Sequence, residues 1–232
     1  MSGSPFTWRP SSFLLIVKSD SILRTAYVLS LLLWYLNTTE RAFSADFGDI
    51  ELSGYALGSR PRDPGLYNQG AVVPASIQQG FGAGLKIGLF PSALRRMLGI
   101  EIDSNIHGSA LSFTHTPQRV PPETGHSDLL ITNTTFNLVL RYPGELVRPY
   151  VGVGVGWSIA TLLNPNVAGR EDRDFESAYA LVHQFLGGTQ VLLSPKLLLF
   201  VEYRYRSSNY HWESLAMGFR THYGLLGIGL RF

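Results

Sequence analysis

The feature that most constrains this chain is a two-residue alternation that starts near residue 49 and recurs, segment after segment, to the C-terminus. A period of two is the signature of a β-strand with two unlike faces. Across residues 80–90, Phe81, Ala83, Leu85, Ile87 and Leu89 share one face, and Gly80, Gly82, Gly84, Lys86 and Gly88 share the other. Residues 98–108 set Leu98, Ile100, Ile102 and Ile106 against Glu101, Asp103, Asn105 and His107. Residues 129–142 set Leu130, Phe136, Leu138, Leu140 and Tyr142 against Asn133, Asn137 and Arg141. Val151, Val153, Val155 and Trp157 alternate with glycines, and Leu197, Leu199, Val201, Tyr203 and Tyr205 alternate with Glu202, Arg204 and Arg206. The last run places Leu226, Ile228, Leu230 and Phe232 opposite Arg231. Two further segments, 49–60 and 176–192, read as strands whose register stays open.

The distribution of polarity decides what each face meets. A soluble barrel turns its apolar face inward and its charges outward. Here the charged face is also the glycine face, while the other is continuously aliphatic and aromatic and carries no Lys, Arg, Asp or Glu in the six clean segments. Composition agrees: 16% of residues are charged, below the ~25% of soluble domains, and 24 of 232 are glycine, above the usual ~7%. No apolar run approaches the ~18 residues of a spanning helix. A sheet in lipid must close, because each unpaired backbone group there costs several kcal/mol. Eight strands enclose a lumen just wide enough to be filled by side chains. The expected fold is therefore all-β, an eight-stranded antiparallel up-and-down transmembrane barrel, with a soluble eight-stranded barrel as its competitor. Inward glycines would make room for Lys86, Glu101, Asp103, Arg141, Glu202, Arg204 and Arg231 to form interior ion pairs. Tyr142, Tyr150, Trp157, Tyr203, Tyr205 and Phe232 fall near the expected strand ends, where aromatic girdles belong, although Tyr150 has inward parity.

Connection lengths point the same way. Long connections at roughly 61–79, 109–127, 163–175 and 207–216 alternate with short ones around Pro91, Pro143 and Pro195. Outer-membrane barrels have short periplasmic turns and longer outward loops. Ahead of the strands, residues 26–36 form a mostly apolar stretch too short to span a bilayer, followed by Ala42, Phe43, Ser44 and Ala45. This is the pattern of a secretory signal peptide. The expected division is residues 1–44 as leader, cleaved after Ser44 or Ala45, and residues 45–232 as barrel.

Several motifs together then resemble a known family. The Pro149-Tyr150 start of the alternating Val/Gly run, Leu193-Ser194-Pro195, the Val201 to Tyr205 run and the ending from Thr221-His222 to Arg231-Phe232 resemble the OmpA-like, opacity-type outer-membrane β-barrel family, over roughly residues 49–232. The resemblance implies residence in the outer membrane of a Gram-negative bacterium, among outer-membrane lipids and lipopolysaccharide. It also implies that Leu226, Ile228, Leu230 and Phe232 act as the signal read by the barrel-assembly machinery. Larger members add a periplasmic peptidoglycan-binding domain; a cell-wall tether of that kind is not expected here.

Candidate chemistry is sparse. Arg206-Ser207-Ser208-Asn209 is similar to the His-x-Ser-Asn stretch of outer-membrane lipid A deacylases, but Arg206 stands in the position of the general base. An arginine stays protonated and cannot accept a serine proton. A Ser208, His211, Glu213 set is conceivable only within a short loop. His115, Glu123 and His126 share the second long connection with no metal-site spacing, and the alternating glycines sit inside strands rather than in a phosphate loop. The run Arg170, Glu171, Asp172, Arg173, Asp174 reads as a solvated loop tip. No cysteine is present, and a net charge of +2 gives no basis for nucleic-acid binding. No cofactor or metal is expected. The expected function is that of a non-enzymatic envelope protein that supports membrane integrity or displays loops toward an unidentified surface ligand. A narrow or gated, porin-like pore and a lipid A deacylase-like esterase are the alternatives.

Overall fold

The computed structural model describes residues 48–62, 65–68, 71–73, 75–115, 123–166, 175–212 and 215–232. Among these, eight long strands follow one another: β1 (Gly48–Pro61), β2 (Gly80–Pro91), β3 (Leu98–His115), β4 (Glu123–Arg141), β5 (Val147–Asn166), β6 (Phe175–Leu192), β7 (Leu197–His211) and β8 (Leu215–Arg231). Each pairs antiparallel with the next, and β1 pairs with β8 from Glu51 opposite Arg231 to Pro61 opposite Thr221. The sheet is thereby closed into an up-and-down barrel with no free edge along β1 and β8. A single 3-10 turn, Ser92–Leu94, joins β2 to β3.

The alternation sets the faces as the sequence implies. Phe81, Leu85, Ile87, Ile100, Ile102, Leu138, Val151, Val155, Val201 and Leu226 point outward and are exposed, while Lys86, Glu101, Asp103, Arg141, Glu202 and Arg204 point inward and are buried. The two open registers are now settled. In β1, Asp49, Glu51, Ser53, Tyr55, Leu57 and Ser59 face in, and Ile50 and Leu52 face out. In β6, Ala178, Ala180, Val182, Gln184, Leu186 and Gln190 face in, and Tyr179, Leu181 and Phe185 face out.

Among the described residues, much of what the sequence reads as long outward loops is strand. β3 through β6 contain 18, 19, 20 and 18 residues, roughly twice the 9–11 that cross a bilayer at a tilt. His115 is paired opposite Glu123, and Ser112 opposite His126, so this expected loop is largely barrel wall. Ser207 to His211 continue β7, paired against Arg220 to Ala216. Even the first connection extends the wall: residues 65–68 pair with β8 and residues 75–77 with β3.

The polarity of these extensions is reversed, which hides them from a strand pattern defined by an apolar outer face. Near the upper end, opposite the short turns, the interior becomes apolar: Leu111, Leu129, Ile131, Ala160, Leu162, Ala178, Tyr210, Trp212, Met217 and Phe219 form one buried cluster. The outer surface there gains Ser76, Asp128, Ser177, Asn209, His211 and Arg220 among the still-exposed Phe175 and Tyr179. The lower barrel has the inside-out pattern required by lipid, and the upper barrel has the ordinary pattern required by water. The change between them marks the outer limit of the apolar belt.

Candidate functional site

The chemistry-bearing residues of the belt converge in the lumen, in layers stacked along the barrel axis. At the short-turn end, Arg141 on β4 reaches across to β1, bonding Asp49 Oδ2 (3.0 Å) and Glu51, with Gln190 Oε1 at 3.2 Å. Gln190 donates in turn to Glu51 Oε2 (2.8 Å). Asp49 also receives Arg148 (3.1 Å) and Arg96 (3.2 Å). Arg96 has φ 57°, an uncommon backbone state for a residue with a Cβ. That conformation brings its side chain to Asp49 and lets its carbonyl accept from Arg141 Nη2 at 3.3 Å.

One layer higher, Lys86 on β2 donates to Glu202 Oε2 on β7 (2.8 Å) and pairs with Glu101 Oε2 on β3 (3.2 Å). Tyr150 donates its phenol proton to Glu202 Oε2 (2.6 Å), and Asn137 donates to Glu101 Oε1 (3.0 Å). Arg204 bonds Glu202 and grips Asp103 with both terminal nitrogens (2.8 and 2.9 Å). Tyr55 and Asn105 complete the shell of Asp103 at 2.7 and 2.8 Å. Above these, Arg206 donates to Gln184 Oε1 through Nε (3.1 Å) and Nη2 (2.8 Å), and to Asn105 Oδ1 (3.3 Å). The three cations Lys86, Arg204 and Arg206 stand among three carboxylates, Glu101, Asp103 and Glu202. Buried charges are tolerated only when paired and hydrogen-bonded in this way.

Each cation also lies against an aromatic ring. Arg141 sits 3.7 Å from the Phe90 centroid, Lys86 4.1 Å from Phe200, Arg204 5.2 Å from Tyr55 and Arg206 4.9 Å from Tyr223. Glycines make this packing possible at two close approaches. A Cβ on Gly84 would overlap the Tyr55 ring, and one on Gly227 would overlap Phe200.

Of the residues singled out in the sequence, Lys86, Glu101, Asp103, Arg141, Glu202 and Arg204 are therefore brought together inside the barrel. Arg231 stands at the lower rim, where it pairs with Asp49 Oδ2 at 3.8 Å and donates to the Pro195 carbonyl (2.9 Å). Trp157 lies mid-strand on the outer face, packed on Phe136 with ring centroids 5.7 Å apart, because β5 runs well beyond the expected end. Sequence reasoning missed Asp49, Glu51, Tyr55, Phe200, Gln184 and Gln190. All face inward, and the parity of Asp49 and Glu51 with Ser53 was the available signal.

The Ser208, His211 pairing is ruled out by the register. Three residues apart in one strand, they point to opposite faces: Ser208 is buried in the lumen and His211 is exposed outside. Arg206, at the position where a base would be needed, is an interior donor to Gln184. Glu213 and the run 170–174 lie outside the described residues.

An apolar girdle outside and a charge-paired lumen inside define a class, the membrane-spanning β-barrel whose channel is occupied by its own side chains. The fold is that of the small outer-membrane β-barrels. Neisserial surface protein A superposes with a TM-score of 0.54 at 14% identity, covering 80% of this chain and 99% of its own. Outer membrane protein AlkL, solved by solid-state NMR in lipid bilayers, gives 0.52 at 18% identity, covering 83% and 93%. No protein-family model and no curated protein sequence matches the chain. The resemblance to opacity-type barrels is borne out at the level of the fold.

Proposed function

We propose that this chain is an exported, non-enzymatic protein of a Gram-negative outer membrane that reinforces the envelope and holds surface-contact segments on a rigid wall. The observation that carries this reading is the occupied lumen. Side-chain bonds run from Lys86 through Glu202, Arg204 and Asp103 to Asn105 and Arg206, joining β2, β3 and β7 across the interior. The apolar cluster around Tyr210 and Phe219 fills the upper end. Such filling argues against a steady pore, and among the described residues the inward histidine, His107, bonds Tyr223 rather than a serine, which argues against an esterase. The reading includes a leader of residues 1–44, lipopolysaccharide as the surrounding lipid, and Leu226, Ile228, Leu230 and Phe232 as the face presented to the barrel-assembly machinery.

The test compares a gene deletion with a variant in which residues 116–122 and 167–174 are replaced by short turns. Deletion should raise detergent sensitivity and reduce surface adhesion. The shortened variant should restore detergent resistance without restoring adhesion. Unchanged behaviour in both strains would overturn the proposal.

A further inference from the structure

The upper rim of the barrel carries an asymmetry that the lumen does not use. Among the described residues, the exposed lysine or arginine side chains at that end are Arg60, Arg62 and Arg220, and all three lie at the seam where β1 meets β8. No carboxylate among the described residues lies within ion-pair distance of any of them. Interior cations, by contrast, each have an acid or an amide oxygen.

The strand register stacks this seam in rows across β7, β8 and β1. The top row holds Ser207, Arg220 and, through the bond from Arg62 N to the Arg220 carbonyl (2.9 Å), Arg62. The next row holds Tyr205, His222 and Arg60. Below it, Tyr203, Gly224 and Gly58 lie side by side, with Phe81 on β2 completing the row. The row beneath is Val201, Leu226, Ala56 and Ala83. Successive rows are separated by about 7 Å, two residues of strand rise.

Two neighbouring glycines on a lipid-facing surface leave a trough. The side chains of Tyr203 and Phe81 form its walls, Gly58 and Gly224 its floor, and it continues downward over Ala56 and beside Leu226; it is part of a surface groove of about 690 Å³ that extends past Val201 to Gly187 and Thr189 on β6. Phe81 is 79% exposed, so in water this wall would be costly, and in lipid it is at home. The head of the trough is held in place by a hydrogen-bonded chain. Arg62 Nε donates to His222 Nε2 (3.1 Å), so the other ring nitrogen carries the proton and donates to the Tyr203 hydroxyl (2.5 Å). Arg62 is thereby fixed above the groove, with Arg60 and Arg220 beside it.

A cationic head directly above an acyl-sized apolar trough, at the level where the apolar belt ends, is complementary to a lipid with a phosphorylated head and saturated tails. We infer that the β1–β8 seam is a binding site for one phosphorylated acyl glycolipid of the outer leaflet, lipopolysaccharide, with its phosphates on Arg60, Arg62 and Arg220 and one acyl chain against Gly58 and Gly224. The inference rests on the membrane-spanning reading proposed above and adds a place and a stoichiometry to it.

The full barrel is refolded in neutral detergent and titrated with bisphosphorylated lipid A, its dephosphorylated form and phosphatidylglycerol, with bound lipid counted by native mass spectrometry. One bisphosphorylated lipid A per barrel is expected, with the dephosphorylated form and phosphatidylglycerol bound at least tenfold more weakly. The R60Q/R62Q/R220Q variant should weaken binding on the order of a hundredfold, as the loss of three cations near an anionic surface implies. Gly58→Leu should weaken it several-fold with every arginine in place. Equal binding by the triple variant, or of the dephosphorylated lipid, would overturn the site. Phosphatidylglycerol binding as tightly as lipid A would overturn the glycolipid assignment. A heat-dependent gel-mobility shift of each sample separates the two readings. Its absence in the parent protein undoes the barrel itself, whereas its presence without lipid binding undoes the seam site alone.

Discussion

At the residue scale, the lumen shows how an eight-stranded barrel can bury charge. Arg204 is 1% exposed, yet it has Asp103, Glu202 and the Tyr55 ring around it. Arg204→Ala should cost about 3–5 kcal/mol, because it leaves the buried Asp103 without its ion-pair partner. Arg204→Met combined with Asp103→Leu should cost less than the single change, since the Asp103 carboxylate is removed together with its partner while Glu202 keeps Lys86. Urea midpoints of the heat-modifiable gel band measure both. Gly84→Val should displace Tyr55 and separate it from Asp103, lowering the same midpoint. The charged half of this network was legible, because Glu101, Asp103, Glu202 and Arg204 alternate with unmistakable aliphatic residues. The aromatic half was not. A ring can serve lipid or a buried guanidinium equally well, so Phe200 and Tyr223 carried no marker of direction. Tyr55 lay in a segment whose period was blurred by glycine and alanine.

At the element scale, strand ends separate from the membrane boundary. The sequence showed where the apolar face stops, and the backbone pairing continues past that point by several residues. Reading the end of one as the end of the other shortened β3, β5 and β7 and lengthened the loops between strands. The physical reason is the reversal of polarity, which preserves the two-residue period while exchanging its faces. At the other end, the pairing of β8 with β1 is extended one residue past the strand, with Phe232 N donating to the Ile50 carbonyl (2.9 Å) and Ile50 N to the Phe232 carbonyl (3.2 Å). Deletion of Phe232 should therefore reduce the heat-resistant fraction recovered from the outer membrane. Ile228→Arg, on the exposed face of β8, should destabilise the inserted barrel by about 2–4 kcal/mol, read from its unfolding in lipid vesicles.

At the scale of the whole molecule, cross-links between opposite walls make the barrel a solid rod rather than a pipe. Planar-bilayer recordings of the purified protein should show no steady conductance, and a sustained single-channel current would favour the pore reading. The same cross-links have a bearing on timing. Neighbouring strands along the chain can zip as local hairpins, whereas Lys86 meets Glu202 across 116 residues, Arg204 meets Tyr55 across 149 and Arg141 meets Asp49 across 92. Contacts at such separations form late, after the intervening chain is ordered. None of the three can form until the sheet has curled far enough to bring opposite walls together, the same motion that brings β1 to β8. A half-curled sheet thus holds unmatched arginines and an open edge at once. Both penalties vanish together in the final step, so partly assembled forms are short-lived and the chain commits to its shape late and all at once.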